Sequence, residues 1–381
     1  MLGDRFLNDS FIRSSRPYFF KSDIELVLKD LESVLESGKL RNGQNQRLFE
    51  ENMAAYLGIE NCVALDSDLS ALETALQYYN VKDREVIVCT NSFISIPNSV
   101  LYAGGRVVFA DIKKETLSMD PASVKKCISP KTCGVIVTHI AGFPNPDFRE
   151  IEGICRERGF FLIEDATHAL GAMIGDRKVG CFGDAAVFAF TPTKVITSGE
   201  GGMLATSNGE LADFARLNRY YGSGAGKTHF ERLGRHMLLP EVSAVLGIYQ
   251  LRRVEEFIAR RNQVAQAYNE AFDRIEGVSI VDCSSGSRCS YYKYPITLNP
   301  KVDKEKFVKT LNALGVETGT VFYPPCHMQP VYRCQNLNGQ SLPVAEDVLF
   351  RTVTLPMHYG LNDLDVLDVI MNVRLALESC F

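Results

Sequence analysis

Long apolar runs are absent from this 381-residue chain: nowhere do about 18 apolar residues follow one another, the length a helix needs to cross a membrane. Blocks of basic residues are absent too. With 41 Lys and Arg against 46 Asp and Glu the net charge is −5, so no basic field exists to collect phosphate backbones, and neither nucleic acid nor a membrane is an expected partner. The opening MLGDRFLNDSFIRSS carries acidic residues and no apolar core of a signal peptide, which leads us to expect a cytoplasmic protein. Eleven cysteines form no CxxC pair, and their scatter predicts free thiols in a reducing compartment rather than disulfides or a metal site. Internal repeats and low-complexity linkers are missing as well.

What is present is a chain 46% hydrophobic and 23% charged, enough to bury a large core. Short runs rich in Val, Ile and Phe recur as EVIVC (85–89), RVVFADI (106–112), GVIVTHI (134–140), GFFLIED (159–165) and AAVFAF (185–190). Helix-period segments such as ASVKKCI and DFREIEGICRERG separate several of them. Near-continuous apolar strands alternating with helices predict an α/β fold whose mostly parallel sheet is covered on both faces. From Pro240 a single long helical pattern runs to about residue 272 and links to a C-terminal α+β part. That part should contain a strand YYKYPITL (291–298), a helix DKEKFVKTLNALG (303–315), a strand VETGTVFY (316–323) and a closing helix from about Asn362.

Asp165 ends one buried strand, in FLIEDATHALGA, and Lys194 follows the next, in FAFTPTKVITSGEGG. Parallel α/β sheets bind ligands outside the carboxyl ends of their strands, so both side chains address one crevice. Pyridoxal phosphate needs such a pair, because its aldehyde condenses with a lysine and its ring nitrogen needs a carboxylate to keep it protonated. Each residue alone is more often just solvated at a strand end. Three further places add weight. VALDSDLSALETALQYY puts Asp66 or Ser67 at a helix N-cap able to hold a phosphate, Phe93 follows a strand where its ring could stack on the pyridine, and Gly201-Gly202 let backbone approach a cofactor.

The stretches SGKLRNGQNQRLFEENMAAYLG, SFISIPNSVLYAGG, FFLIEDATHALGA, FAFTPTKVITSGEGGM, PEVSAVLGIYQL, VFYPPCHMQPVYR and LPVAEDVLFRTVTLPM give the chain a resemblance to the DegT/DnrJ/EryC1/StrS sugar aminotransferases over nearly its whole length. The resemblance implies a type I pyridoxal-phosphate transferase fold, with a large α/β domain over residues 1–250 and a smaller α+β domain over 251–381. It implies Lys194 as Schiff-base lysine and proton shuttle, Asp165 on the pyridinium nitrogen, Phe93 stacked on the ring and His168 near the phenolic oxygen. Tyr323 and His327 would line a sugar-nucleotide cleft. The expected activity is transfer of an amino group from glutamate or glutamine to a keto sugar, nucleotide-linked, in a homodimer.

The chain also departs from that pattern. The phosphate turn, Ser-Gly-Thr in the family, is Ser67-Asp68-Leu69; an expected serine is Ala189; and the Asn-x-Arg that reaches in from the other subunit is His236-Met237-Leu238, with His236 as a stand-in for the asparagine. A dehydratase of the family carries histidine in place of the lysine, which Lys194 argues against. A cyclitol aminotransferase would share every motif, and a non-catalytic relic of the fold is the rival from another class.

Overall fold

The computed structural model describes residues 11–223, 229–333 and 341–380. Nine strands precede residue 207: β1 (Asn61–Leu65), β2 (Glu85–Cys89), β3 (Arg106–Ala110), β4 (Thr132–Thr138), β5 (Phe161–Asp165), β6 (Met173–Ile174), β7 (Arg177–Lys178), β8 (Ala185–Ala189) and β9 (Gly202–Thr206). Seven of them form one sheet in the order β1-β9-β8-β5-β4-β2-β3. The pairs from β8 through β5, β4 and β2 to β3 are parallel, and β9 alone runs against both its neighbours. The mostly parallel α/β sheet read from the apolar runs is therefore present. Side chains of β1 alternate between two buried clusters, Cys62 and Ala64 in one and Val63 and Leu65 in the other, as a pleated strand covered on both faces requires.

The C-terminal part adds β10 (Val278–Ile280), β11 (Ser287–Arg288), β12 (Tyr294–Leu298) and β13 (Thr352–Leu355). An antiparallel sheet of order β10-β12-β13 is accompanied by the helices Lys304–Ala313 and Asp363–Glu378, which pack on each other, and β11 joins β6 and β7 in a small third sheet. Residues near the N-terminus lie against this part, since Ile12 bridges Val316 and the Met357 amide donates to the Ser14 carbonyl at 3.1 Å. No helix among the described residues is long and apolar enough to cross a membrane.

Three expectations are corrected. The long helix after Pro240 is two, Glu241–Arg252 and Val254–Phe272, because Arg253 leaves helical geometry at φ −101° and ψ 0°. The strand expected over 316–323 makes only single bridges, Val316 with Ile12 and Gly319 with Thr354 of β13, because the chain then turns so that Phe322 meets Phe93 and His168. Cys283 and Cys289 are joined in a disulfide rather than left as thiols, because the turn in which Ser287 donates to the Ser284 carbonyl brings their Cα atoms to 6.0 Å. Cys334 lies outside the described residues.

One buried acid fixes the end of β5. Glu164 is fully buried, and its carboxylate accepts from the amides of Phe182 (2.6 Å), Gly183 (2.8 Å) and Gly180 (2.8 Å) and from His139 Nε2 (3.1 Å). The Asn145 amide donates to His139 Nδ1, which leaves Nε2 as the donor toward Glu164. Burial pushes the carboxyl pKa up, but the His139 contact and the amides outweigh it and hold the group below its ordinary range. A depressed carboxylate pKa stabilises the fold above the unfolded value and ceases to do so as pH falls through the folded one. Glu164→Gln should thus lose about 3–5 kcal/mol at neutral pH, with the gap from the unsubstituted protein closing below about pH 4.3. Urea unfolding at a series of pH values measures this, and a gap independent of pH would contradict it.

Candidate active site

Adjacency of β5 and β8 sets the site. Asp165 closes β5, pairing with Val187 of β8, and five residues beyond β8 the loop delivers Lys194. That loop folds back on Phe190, whose carbonyl accepts from the Ser198 amide (3.0 Å) and from Thr197 Oγ1 (2.9 Å). Asp165 is 1% exposed. Its Oδ2 accepts from Thr138 Oγ1 at 2.9 Å, and its Oδ1 accepts from the hydroxyl and amide of Thr167 at 2.7 and 3.2 Å. Burial raises its pKa against the lowering effects of Thr167, the Lys194 charge and Thr138. A carboxylate with raised proton affinity suits a partner for a ring nitrogen that must stay protonated.

Lys194 is half-buried and its Nζ stands 4.9 Å from the centroid of the Tyr292 ring. The Tyr292 hydroxyl pairs with Thr193 Oγ1 at 3.1 Å. Burial pushes the phenol pKa up, but the ammonium groups of Lys194 and Lys293 and the Thr193 hydrogen bond bring it below its ordinary value. His168 lies 4.3 Å from the Tyr292 ring and 5.3 Å from Phe322, stacked on the latter. Burial, then Lys194 and Lys293, pull its pKa well down, so it is neutral. Its Nδ1 accepts from the Ala141 amide at 3.3 Å, which leaves the proton on Nε2.

Phe93 is half exposed and its ring is 5.8 Å from that of Phe322. Both line a cavity of about 340 Å³ together with Ser92, Tyr323 and Cys326. Ser67, rather than Asp66, caps the helix Asp68–Tyr78, accepting from the Ser70 amide at 3.2 Å. Asp68 is tied to Ser95, whose hydroxyl donates to Oδ2 at 2.8 Å, and the Leu69 carbonyl accepts from Ser99. Both glycines sit at close approaches within the protein. A Cβ on Gly202 would run into the backbone of Ser67 and Asp68, and one on Gly201 would stand 2.7 Å from Ser198 Oγ.

His236 is exposed, 3.4 Å from Arg41 Nη1 and 5.3 Å from the Tyr221 ring. The next carbonyl, of Met237, accepts from the Asp66 amide beside the capped turn. Tyr323 packs edge-on to Phe350 at 5.5 Å under Lys304, while it is Phe322 that reaches His168. His327 is buried between Thr90 Oγ1 (2.6 Å to Nδ1) and Glu346 (3.2 Å to Nε2). Tyr292, Lys293 and Phe322 were not singled out from the sequence, although a lysine inside the apolar run YYKYPITL is a signal that could have found two of them.

Residues 21–374 match the model of the DegT/DnrJ/EryC1/StrS aminotransferase family. The chain belongs to this family. The spore coat polysaccharide biosynthesis protein SpsC of Bacillus subtilis is 33% identical over 96% of each chain. The dTDP-4-dehydro-2,3,6-trideoxy-D-glucose 4-aminotransferase of Saccharopolyspora spinosa is 31% identical over 92% of this chain and 94% of its own. Among solved structures, the aminotransferase TlmJ of Streptoalloteichus hindustanus superposes with a TM-score of 0.89 at 31% identity, covering 97% of this chain and 99% of TlmJ. The chain is thus an aminotransferase that depends on pyridoxal phosphate, and its fold is that of these enzymes.

The residues present fit that cofactor: an acid buried at a strand end, a lysine beside it, an exposed aromatic ring at the cavity mouth, and a capped helix start whose first amides have no acceptor within the helix. Asp165→Asn should keep the cofactor but lose most turnover, because an amide cannot hold the ring proton by charge. Parallel cofactor titration and turnover measurements check this, and near-normal turnover would remove Asp165 from the role.

Proposed function

We propose that this aminotransferase acts on a nucleotide-linked keto sugar and takes its amino group from glutamate or glutamine. The observation that carries the chemistry is the juxtaposition of buried Asp165 and half-buried Lys194 at the ends of adjacent parallel strands. The substrate class is supported by the activity named for the Saccharopolyspora spinosa relative, and SpsC supports a place in polysaccharide or deoxysugar synthesis.

Bound pyridoxal phosphate supplies an electrophilic carbon and an electron-withdrawing ring. Asp165 keeps the proton on the ring nitrogen. Lys194 Nζ takes a proton from the donor Cα and returns one to the carbon that was the ketone, acting as base and then as acid. Phe93 would cover one face of that ring. His168, neutral and protonated at Nε2, would donate a hydrogen bond to its phenolic oxygen. Ser67, Asp68 and Leu69 offer first-turn amides to the phosphate, with Ser95 holding the Asp68 carboxylate. Tyr323 and His327 belong to the segment bordering the sugar-nucleotide cleft. The chain divides near residue 250 into a cofactor-binding domain and a smaller domain, in a cytoplasmic homodimer.

Borohydride treatment of the cofactor-loaded protein should fix the cofactor covalently on Lys194, located by peptide mass. The Lys194→Ala variant should show no such adduct, and an adduct that persists elsewhere would dismiss the assignment.

In the homodimer His236 of one subunit supports the phosphate held by the other. Removing a donor to a phosphate dianion costs about 1.5–3 kcal/mol, so His236→Ala should weaken cofactor binding about ten- to a hundred-fold. Light scattering that reports a fully active monomer, or unchanged cofactor affinity in His236→Ala, would defeat the shared-site arrangement.

A further inference from the structure

Lys293 stands next to Tyr292 in the segment that enters β12, and three contacts hold its ammonium beside the cleft. Nζ donates to the Thr320 carbonyl at 2.6 Å. It lies 5.7 Å from the centroid of the Tyr292 ring and 5.9 Å from that of Phe322. The same Tyr292 ring carries the Lys194 ammonium at 4.9 Å, and Phe322 contacts both His168 and Phe93. Two like charges thus flank one ring at the candidate active site.

That arrangement is unfavourable without a counter-charge. Burial lowers the Lys293 pKa, Tyr292 opposes the change, and the Lys194 charge lowers it further. Among the described residues no carboxylate pairs with it. His168 is held neutral, and Asp165 already accepts from Thr138 and Thr167. An ammonium has three donors, and Thr320 occupies one of those on Lys293. The rest are free for a ligand. A partly desolvated cation whose donors are open, on the wall of a cleft, is complementary to an anion that arrives with the substrate.

We propose that Lys293 seats an anionic oxygen group of the substrate, a carboxylate or a phosphate, beside Lys194. The inference rests on the transaminase reading, in which the amino donor brings carboxylates and a nucleotide-linked sugar brings phosphates. Lys293 is then a specificity-determining residue. Thr320 fixes its direction, and the two aromatic faces stabilise its charge while the cleft is empty of substrate.

Calorimetric titration of the cofactor-loaded protein with glutarate, a dicarboxylate that has no amino group to transfer, and with inorganic pyrophosphate separates the two sources. Lys293→Met should weaken at least one of these anions about ten- to a hundred-fold, and Lys293→Arg should restore most of the loss. Weakening of glutarate assigns the donor carboxylate, and weakening of pyrophosphate assigns the nucleotide phosphates; either supports the proposal. Unchanged affinity for both anions in Lys293→Met overturns it. An arginine variant as weak as the methionine one also overturns it, because a replacement that keeps the charge yet fails points to packing. The visible absorbance of bound cofactor in the unsubstituted protein tests the transaminase reading separately, since anion binding is read as heat.

Discussion

The carboxylate of Glu164 gathers three backbone amides and the His139 ring at the end of β5, and the position of Asp165 follows from that gathering. Successive residues of a strand face opposite sides of the sheet. Glu164 anchors one side to the 180–183 turn that leads into β8, so Asp165 is presented on the other with little freedom. The same turn sets the start of β8, whose far end leads to Lys194. A buried acid satisfied by four donors therefore fixes both strand ends from which the chemistry is built. Its removal would leave amides and an imidazole unpaired in a buried region.

Arg261 has a comparable role on the other side of the cleft. It is nearly fully buried, and its Nη1 donates to the carbonyls of Tyr291 (2.9 Å), Tyr292 (3.3 Å) and Met357 (2.9 Å). Burial brings its pKa down to about 10, so the guanidinium stays charged at neutral pH. The helix Val254–Phe272 is thereby stapled to the chain that carries Tyr292 and Lys293. Tyr292 is held beside Lys194 by Arg261 at its carbonyl and by Thr193 at its hydroxyl.

The sequence Ser67-Asp68-Leu69 has a local explanation. A carboxylate at Asp68 near a phosphate would be repulsive if it pointed inward, but Ser95 takes its Oδ2 and the first-turn amides keep their own direction. Gly202 then lets β9 press on the backbone of Ser67 and Asp68, so the turn is supported from below by main chain. The glycine is required by this close backbone approach.

Apolar period and strand-end chemistry determined much of this protein from sequence alone. The five apolar runs are β2, β3, β4, β5 and β8, because strands buried on both faces must be continuously apolar. The nearness of Asp165 and Lys194 was legible because both lie at or just beyond the carboxyl ends of adjacent apolar runs, where a parallel sheet opens its crevice. The cap at Ser67 and the helix after Asn362 were legible because capping is chemistry between near neighbours. Only the tertiary structure decided the rest. Tyr292 and Phe322 join the site through contacts with Lys194 and His168, about a hundred residues or more away in sequence, and Lys293 joins beside them through the Phe322 ring and the Thr320 carbonyl; no local spacing rule exists for these contacts. The Cys283–Cys289 bridge depends on a turn that no cysteine count can show. The run 316–323 has strand composition, yet it meets the open edge of β13 only at Gly319 before Phe322 is drawn toward Phe93 and His168, contacts that no local pattern shows.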